Sequence, residues 1–86
     1  MKFEIKLSSR AYRFLKNINK VVYNRIIKKV ERLSEDPFPP DAKRVIGRDE
    51  KAFRVRVGDY RILYVVYLDK ETILIINIDK RSKVYR

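Results

Sequence analysis

The sequence predicts an α+β domain of order β-α-α-β-β-β-β, in which an N-terminal strand and an αα-hairpin pack on a mainly antiparallel, twisted sheet. Three observations predict it. Phe53 to Tyr64 reads as two alternating strands joined by Gly58-Asp59, a two-residue hairpin signal. Apolar residues between Arg10 and Leu33 recur at helical spacing. The helices come first and most strands follow, whereas a parallel α/β sheet would alternate them. At 86 residues the chain is read as one domain, residues 1–86.

Lys2 to Leu7 alternates, with Phe3, Ile5 and Leu7 on one face, and is the first strand. Ser8 or Ser9 can cap a helix N-terminus. Arg10 to Ile18 then forms a short helix, with Ala11, Leu15 and Ile18 in one stripe and Tyr12 and Phe14 beside it. Asn19 can cap a second helix from Lys20 to Leu33. Val22, Ile26, Val30 and Leu33 make its buried stripe, and Ile27 widens it. Its outer face carries Arg25, Lys28, Lys29 and Arg32, balanced only by Glu31. Asp36-Pro37-Phe38-Pro39-Pro40 is too stiff to continue a helix and reads as a connector with Phe38 as a plug. Ala42 to Ile46 is a short strand, and Gly47 to Lys51 a charged turn.

In the hairpin, Val57 faces Tyr60, Arg56 faces Arg61, Val55 faces Ile62, Arg54 faces Leu63 and Phe53 faces Tyr64. One face therefore carries Phe53, Val55, Val57, Tyr60, Ile62 and Tyr64, and the helix stripes should cover it. The other carries Arg54, Arg56 and Arg61. Like charges directly opposed across strands cost from a few tenths to about 1 kcal/mol, so this face calls for an anion. The second strand runs on through Val65 to Leu68, apolar on both parities, as suits a central strand. Asp69-Lys70-Glu71 is a turn. Thr72 to Ile78 is another two-sided strand, and Asp79 begins a basic tail with Lys80, Arg81, Lys83, Tyr85 and Arg86. Tyr60, Tyr64 and Tyr67 read as core or near-core side chains.

Composition narrows the chemistry. Twenty-two Lys and Arg against 11 Asp and Glu give a net charge of +11, which points to a nucleic acid or an acidic protein. The absence of Cys and His removes disulfides, thiolate and imidazole metal ligands, and the usual general base. No apolar run, Ile73 to Ile76 included, is long enough for a bilayer, and the N-terminus has no signal-peptide pattern, so a cytoplasmic location is expected. A 38% content of charged residues, with no Trp or Gln, fits a heat-adapted chain.

The strand, the αα-hairpin, the Pro-containing loop, Ala42-Lys43-Arg44-Val45-Ile46-Gly47, the segment Phe53 to Tyr64 and the ending Lys80-Arg81-Ser82-Lys83-Val84-Tyr85 together resemble the RelE/ParE toxin superfamily, in an archaeal-like form of its RelE branch. The resemblance covers essentially the whole chain. It implies the toxin of a type II toxin–antitoxin pair. The RelE branch cleaves mRNA in the ribosomal decoding site, contacting mRNA and ribosomal RNA. A RelB-type antitoxin wraps the toxin, with a heterotetramer expected, and operator DNA is met only through that complex. The ParE branch instead poisons DNA gyrase and lacks the nuclease residues. No cofactor, metal or membrane is implied.

The resemblance places the chemistry on Arg54 and Arg56 before the turn, Arg61 after it, and Arg81 and Tyr85 at the C-terminus. Two departures stand out. Arg54 and Arg56 occupy positions that often hold Lys. The interval from Arg81 to Tyr85 is also short, which leaves Lys80 or Lys83 as alternatives to Arg81. Contacts to RNA or the ribosome are expected from Arg25, Lys28, Lys29, Arg32, Lys43, Arg44, Lys80, Lys83 and Arg86. The helix face among these meets ribosomal RNA or an acidic antitoxin segment, or is simply solvated. Cleavage by the RNA's own 2′-OH needs a base, cations for the phosphorane and an acid for the leaving 5′-oxygen. Arg forks match phosphate oxygens. Tyr85 is the candidate base, because nearby Arg charges favour its phenolate. The acid stays open among Lys80, Lys83 and an Arg56 that stabilises without protonating. A gyrase poison or an idle nucleic-acid-binding relative are the alternative functions.

Overall fold

Capping decides where the two helices begin. The computed structural model describes residues 2–45 and 51–80. Strand β1, Glu4–Leu7, ends at Ser8, whose hydroxyl accepts from the Ala11 amide at 3.1 Å and starts α1, Ser9–Asn17. Asn19 does the same for α2, Lys20–Glu35, accepting from the Val22 amide at 2.9 Å. The second helix runs two residues beyond the expected Leu33. Ser34 turns its hydroxyl back onto the Glu31 carbonyl at 2.6 Å, so its polar group is satisfied although buried.

Four further strands follow: β2, Lys43–Arg44; β3, Ala52–Val57; β4, Tyr60–Tyr67; and β5, Thr72–Lys80. The sheet order is β1-β5-β4-β3-β2, with β1 parallel to β5 and every other pair antiparallel. The expected hairpin register holds pair for pair. Gly58 takes φ +58° at the first turn position and Asp59 does not share it, the pattern of a II′ turn. A Cβ at Gly58 would also sit 2.8 Å from the Arg25 guanidinium, which α2 lays over the turn.

The helices cover one face of the sheet, α1 chiefly over β5. Ala11, Leu15, Ile26, Val30 and Leu33 meet Val55, Ile62, Tyr64, Ile73, Ile75 and Ile78 in one buried cluster. The Tyr64 hydroxyl, fully buried, donates to the Pro37 carbonyl at 2.8 Å. Burial holds the Tyr64 phenol well above its ordinary range, because the phenolate would be desolvated. The plug of the Pro-rich connector is thus Pro37. Phe38 is 46% exposed and lies edge-on to Phe53.

Some edges differ from expectation. Of the strand expected over Ala42–Ile46 the described part is only Lys43–Arg44, and Ile46 falls outside the described residues with most of the turn expected at Gly47–Lys51. Leu7 and Leu68 are exposed, one at the end of an edge strand and the other in a 3-10 turn, Leu68–Lys70. That turn closes with Glu71 in the left-handed region at φ 49°.

The consequential difference lies in β5. Its pairing with β4 slips between Leu63 and Tyr64: Leu63 pairs with Asn77, but Tyr64 pairs with Ile75. Ile76 is therefore the extra residue of a β-bulge. The core positions run Ile73, Ile75, Ile78, not Ile73, Ile75, Asn77. The phase change turns Asn77 and Asp79 away from the helices, and the strand runs two residues past the expected Ile78.

Candidate functional site

Cross-strand register builds a second surface on the side opposite α1 and α2. One rank reads Lys43, Arg54, Leu63, Asn77 and the next Arg56, Arg61, Asp79. Opposed residues of neighbouring strands share a face, so four cations and one carboxylate gather there. Val45, Arg54, Arg61, Leu63, Asn77 and Asp79 line a hollow of about 170 Å³. Arg54 and Arg61 are half-buried and Arg56 is exposed. Partial burial of the first two narrows the directions their guanidinium groups can take. Towards the other end of this face Ala52 and Val65, paired across strands, are buried, as the two-sided pattern of β4 anticipates.

The anion that the paired arginines call for is partly built in. Asp79 Oδ1 lies 3.8 Å from Arg61 Nε, with the Asp79 side chain 44% exposed. Asn77 donates from Nδ2 to Asp79 Oδ2 at 3.3 Å, and the Ile78 amide donates to Asn77 Oδ1 at 3.0 Å. Sequence reasoning assigned Asp79 to the tail and gave Asn77 no role. The available signal was two polar residues spaced by two in an otherwise apolar strand.

The other expected RNA contacts divide among separate places. Lys43 shares the arginine face. Arg44 pairs with Phe53 and so lies on the helix side, as does Lys80, which pairs with Tyr60. On α2, Lys28 and Arg32 are exposed, and Arg25 covers the Gly58 turn. Lys29 is tied to Asp41 at 2.7 Å, and this hydrogen bond holds the Asp41 carboxyl below its usual range. Tyr60 meets Phe14 edge-on, and Tyr67 is half-buried. Arg81, Lys83, Tyr85 and Arg86 lie outside the described residues. Among the described residues no group of three His, Cys, Asp or Glu side chains gathers to hold a metal, and no helix is long and apolar enough to cross a membrane.

Residues 5–85 match the family model described as the ParE toxin of the type II toxin–antitoxin system, parDE. A curated protein of Methanocaldococcus jannaschii named "Putative toxin RelE1" is 34% identical over 89 residues, covering all of this chain and 98% of that one. The chain belongs to the RelE/ParE toxin superfamily, on the RelE side. RelE in the archaeal RelE–RelB complex from Pyrococcus horikoshii superposes with a TM-score of 0.83 at 25% identity, over 98% of this chain and 100% of that one. The isolated Escherichia coli RelE toxin superposes at 0.79 and 20% identity, over 91% of this chain and 83% of that one, a likeness of fold. The α+β architecture expected for a RelE-type chain is thus the one found.

Proposed function

We propose that this RelE-type toxin is a ribosome-dependent endoribonuclease that cleaves mRNA by attack of the substrate's own 2′-OH. The observation that carries the reading is the half-buried pair Arg54 and Arg61 in a hollow on the face opposite α1 and α2. The phosphorane formed by 2′-oxygen attack gains negative charge. Guanidinium groups fixed beforehand, in a site partly shielded from water, stabilise that charge more than mobile surface cations do. Arg56, beside them and exposed, would hold the neighbouring phosphate, and Lys43 would extend the track. Tyr85 remains the proposed base and Arg81 a further phosphate ligand. Four cations and only modest acid–base equipment suit an enzyme whose substrate is oriented by the ribosome.

A RelB-type protein antitoxin is the proposed partner. The P. horikoshii relative was solved as a RelE–RelB complex, as was one from M. jannaschii. Exposed Lys28 and Arg32 on α2 offer a surface for an acidic antitoxin segment or for ribosomal RNA. The test is expression without the partner, with mapping of mRNA 5′ ends. Discrete cuts on translated messages, lost in Arg61→Ala and Tyr85→Phe while the fold persists, support the reading. The name of the matching family model motivates one rival, a ParE-like gyrase poison. Broken DNA with intact mRNA would establish the rival and reject the nuclease.

A further inference from the structure

The arginine hollow contains a carboxylate that phosphate chemistry does not require. Asp79 faces Arg61 from the adjacent strand, with Oδ1 3.8 Å from Nε. It is there because of a specific irregularity: without the extra residue at Ile76, Asp79 would fall on the helix side. The bulge is itself anchored. The Ser8 hydroxyl donates to the Ile76 carbonyl and the Ser8 amide to the Ile75 carbonyl at 2.9 Å, so the N-cap of α1 holds the slipped strand in place. Asn77 then fixes the far oxygen of Asp79 at 3.3 Å. A fold that holds a negative charge against its anion-binding arginine weakens its own grip on RNA, so the carboxylate must do something else.

We propose that Asp79 is a positioning residue for Arg61: it orients the guanidinium along the sheet in the RNA-free protein and competes with the substrate phosphate for it. The inference rests on the nuclease reading for its kinetic arm alone. The ion pair draws Nε towards Asp79 and biases the orientation of the group, so an incoming phosphate meets a donor set already partly aligned. The cost is affinity, since one elementary charge of the same sign as the backbone sits beside the binding position. Binding strength is thereby exchanged for alignment, which favours release of cleaved RNA.

The expected signature is a split between binding and rate. In Asp79→Asn, a 2′-O-methyl RNA oligonucleotide, which cannot be cleaved, binds about fivefold tighter at low salt. Cleavage of ribosome-bound mRNA at saturation slows by about tenfold as Arg61 loses that bias. Asp79→Glu, which keeps the charge, returns the affinity to that of the wild type and recovers part of the rate. The ¹⁵N–¹H signal of Arg61 Nε is expected to be resolved in the wild type, to move when the oligonucleotide is added, and to shift in Asp79→Asn. Unchanged affinity and an unchanged Nε signal in Asp79→Asn overturn the proposal, as does a parallel fall of affinity, rate and Tm, which marks a purely structural carboxylate. If the wild type cuts no mRNA, the nuclease reading fails, while the oligonucleotide titration and the Nε signal still decide the role of Asp79.

Discussion

The two faces of the sheet are built from the same strands and obey different rules. On the helix side, Val55, Ile62, Tyr64, Ile73, Ile75 and Ile78 are almost completely buried, and their neighbours are chosen for shape. On the opposite side, residues one step along the same strands are Arg54, Arg56, Arg61, Asn77 and Asp79, and their neighbours are chosen for charge. Period-two alternation lets a short strand build a core and a charged surface at once. Arg61 and Ile62 adjoin in sequence yet belong to separate problems. Substitution on one face should therefore leave the property of the other intact.

Ile62→Ala is the most severe test of that separation. Removing a fully buried isoleucine side chain costs about 2–5 kcal/mol, so a large fall in urea midpoint is expected, with activity per folded molecule retained. Arg61→Ala should show the reverse: cleavage on translating ribosomes drops by about 100-fold while the midpoint shifts little. If Arg61→Ala unfolds the chain, the two faces are coupled and the division fails.

Smaller effects sharpen the same contrast. Tyr64→Phe deletes the hydrogen bond to the Pro37 carbonyl and should cost about 1–2 kcal/mol in thermal or urea unfolding, with cleavage unaffected. Because its folded pKa is raised above the ordinary 10.0, the Tyr64 contribution is fully present below pH 10 and lost as pH rises beyond it. Ultraviolet titration should show one tyrosine that ionises only on alkaline unfolding. Asp41→Asn removes the surface pair with Lys29 and should cost about 0.5 kcal/mol. The folded pKa of Asp41 is depressed below 3.8, so that contribution is present at neutral pH and fades as pH falls through 4 and below. The acid limb of a stability curve should therefore flatten in the variant.

The hairpin was legible residue by residue, since Gly58-Asp59 fixes the turn and strict alternation fixes the phase. The helix starts were legible because Ser8 and Asn19 are side-chain caps with few alternatives. The phase of β5 was not. Asn77 and Asp79 at the parity of Ile73 and Ile75 signal a phase change, but Ile75 and Ile76 are chemically the same and do not mark where it falls. Missing the bulge meant missing Asp79 as a member of the arginine face. The stub of β2 was overestimated for a related reason: a two-residue edge pairing leaves no periodicity to read. Pro37, and not Phe38, became the plug because the decisive partner was the Tyr64 hydroxyl, 27 positions away in sequence.

The seating of β5 between β1 and β4 has a consequence for how the molecule is made. The last described strand to be synthesised is an interior strand of the sheet, and it alone joins the first strand to the rest. Until it emerges, β1 has no partner and the helix stripes have only part of a surface to close on. Contacts between the two ends of a chain form slowly, because loop closure must precede any gain from pairing. A ribosome partway through this message therefore carries helices and a hairpin but no finished toxin. Assembly of the arginine hollow waits until β5 has been made, whereas the helices and the hairpin precede it.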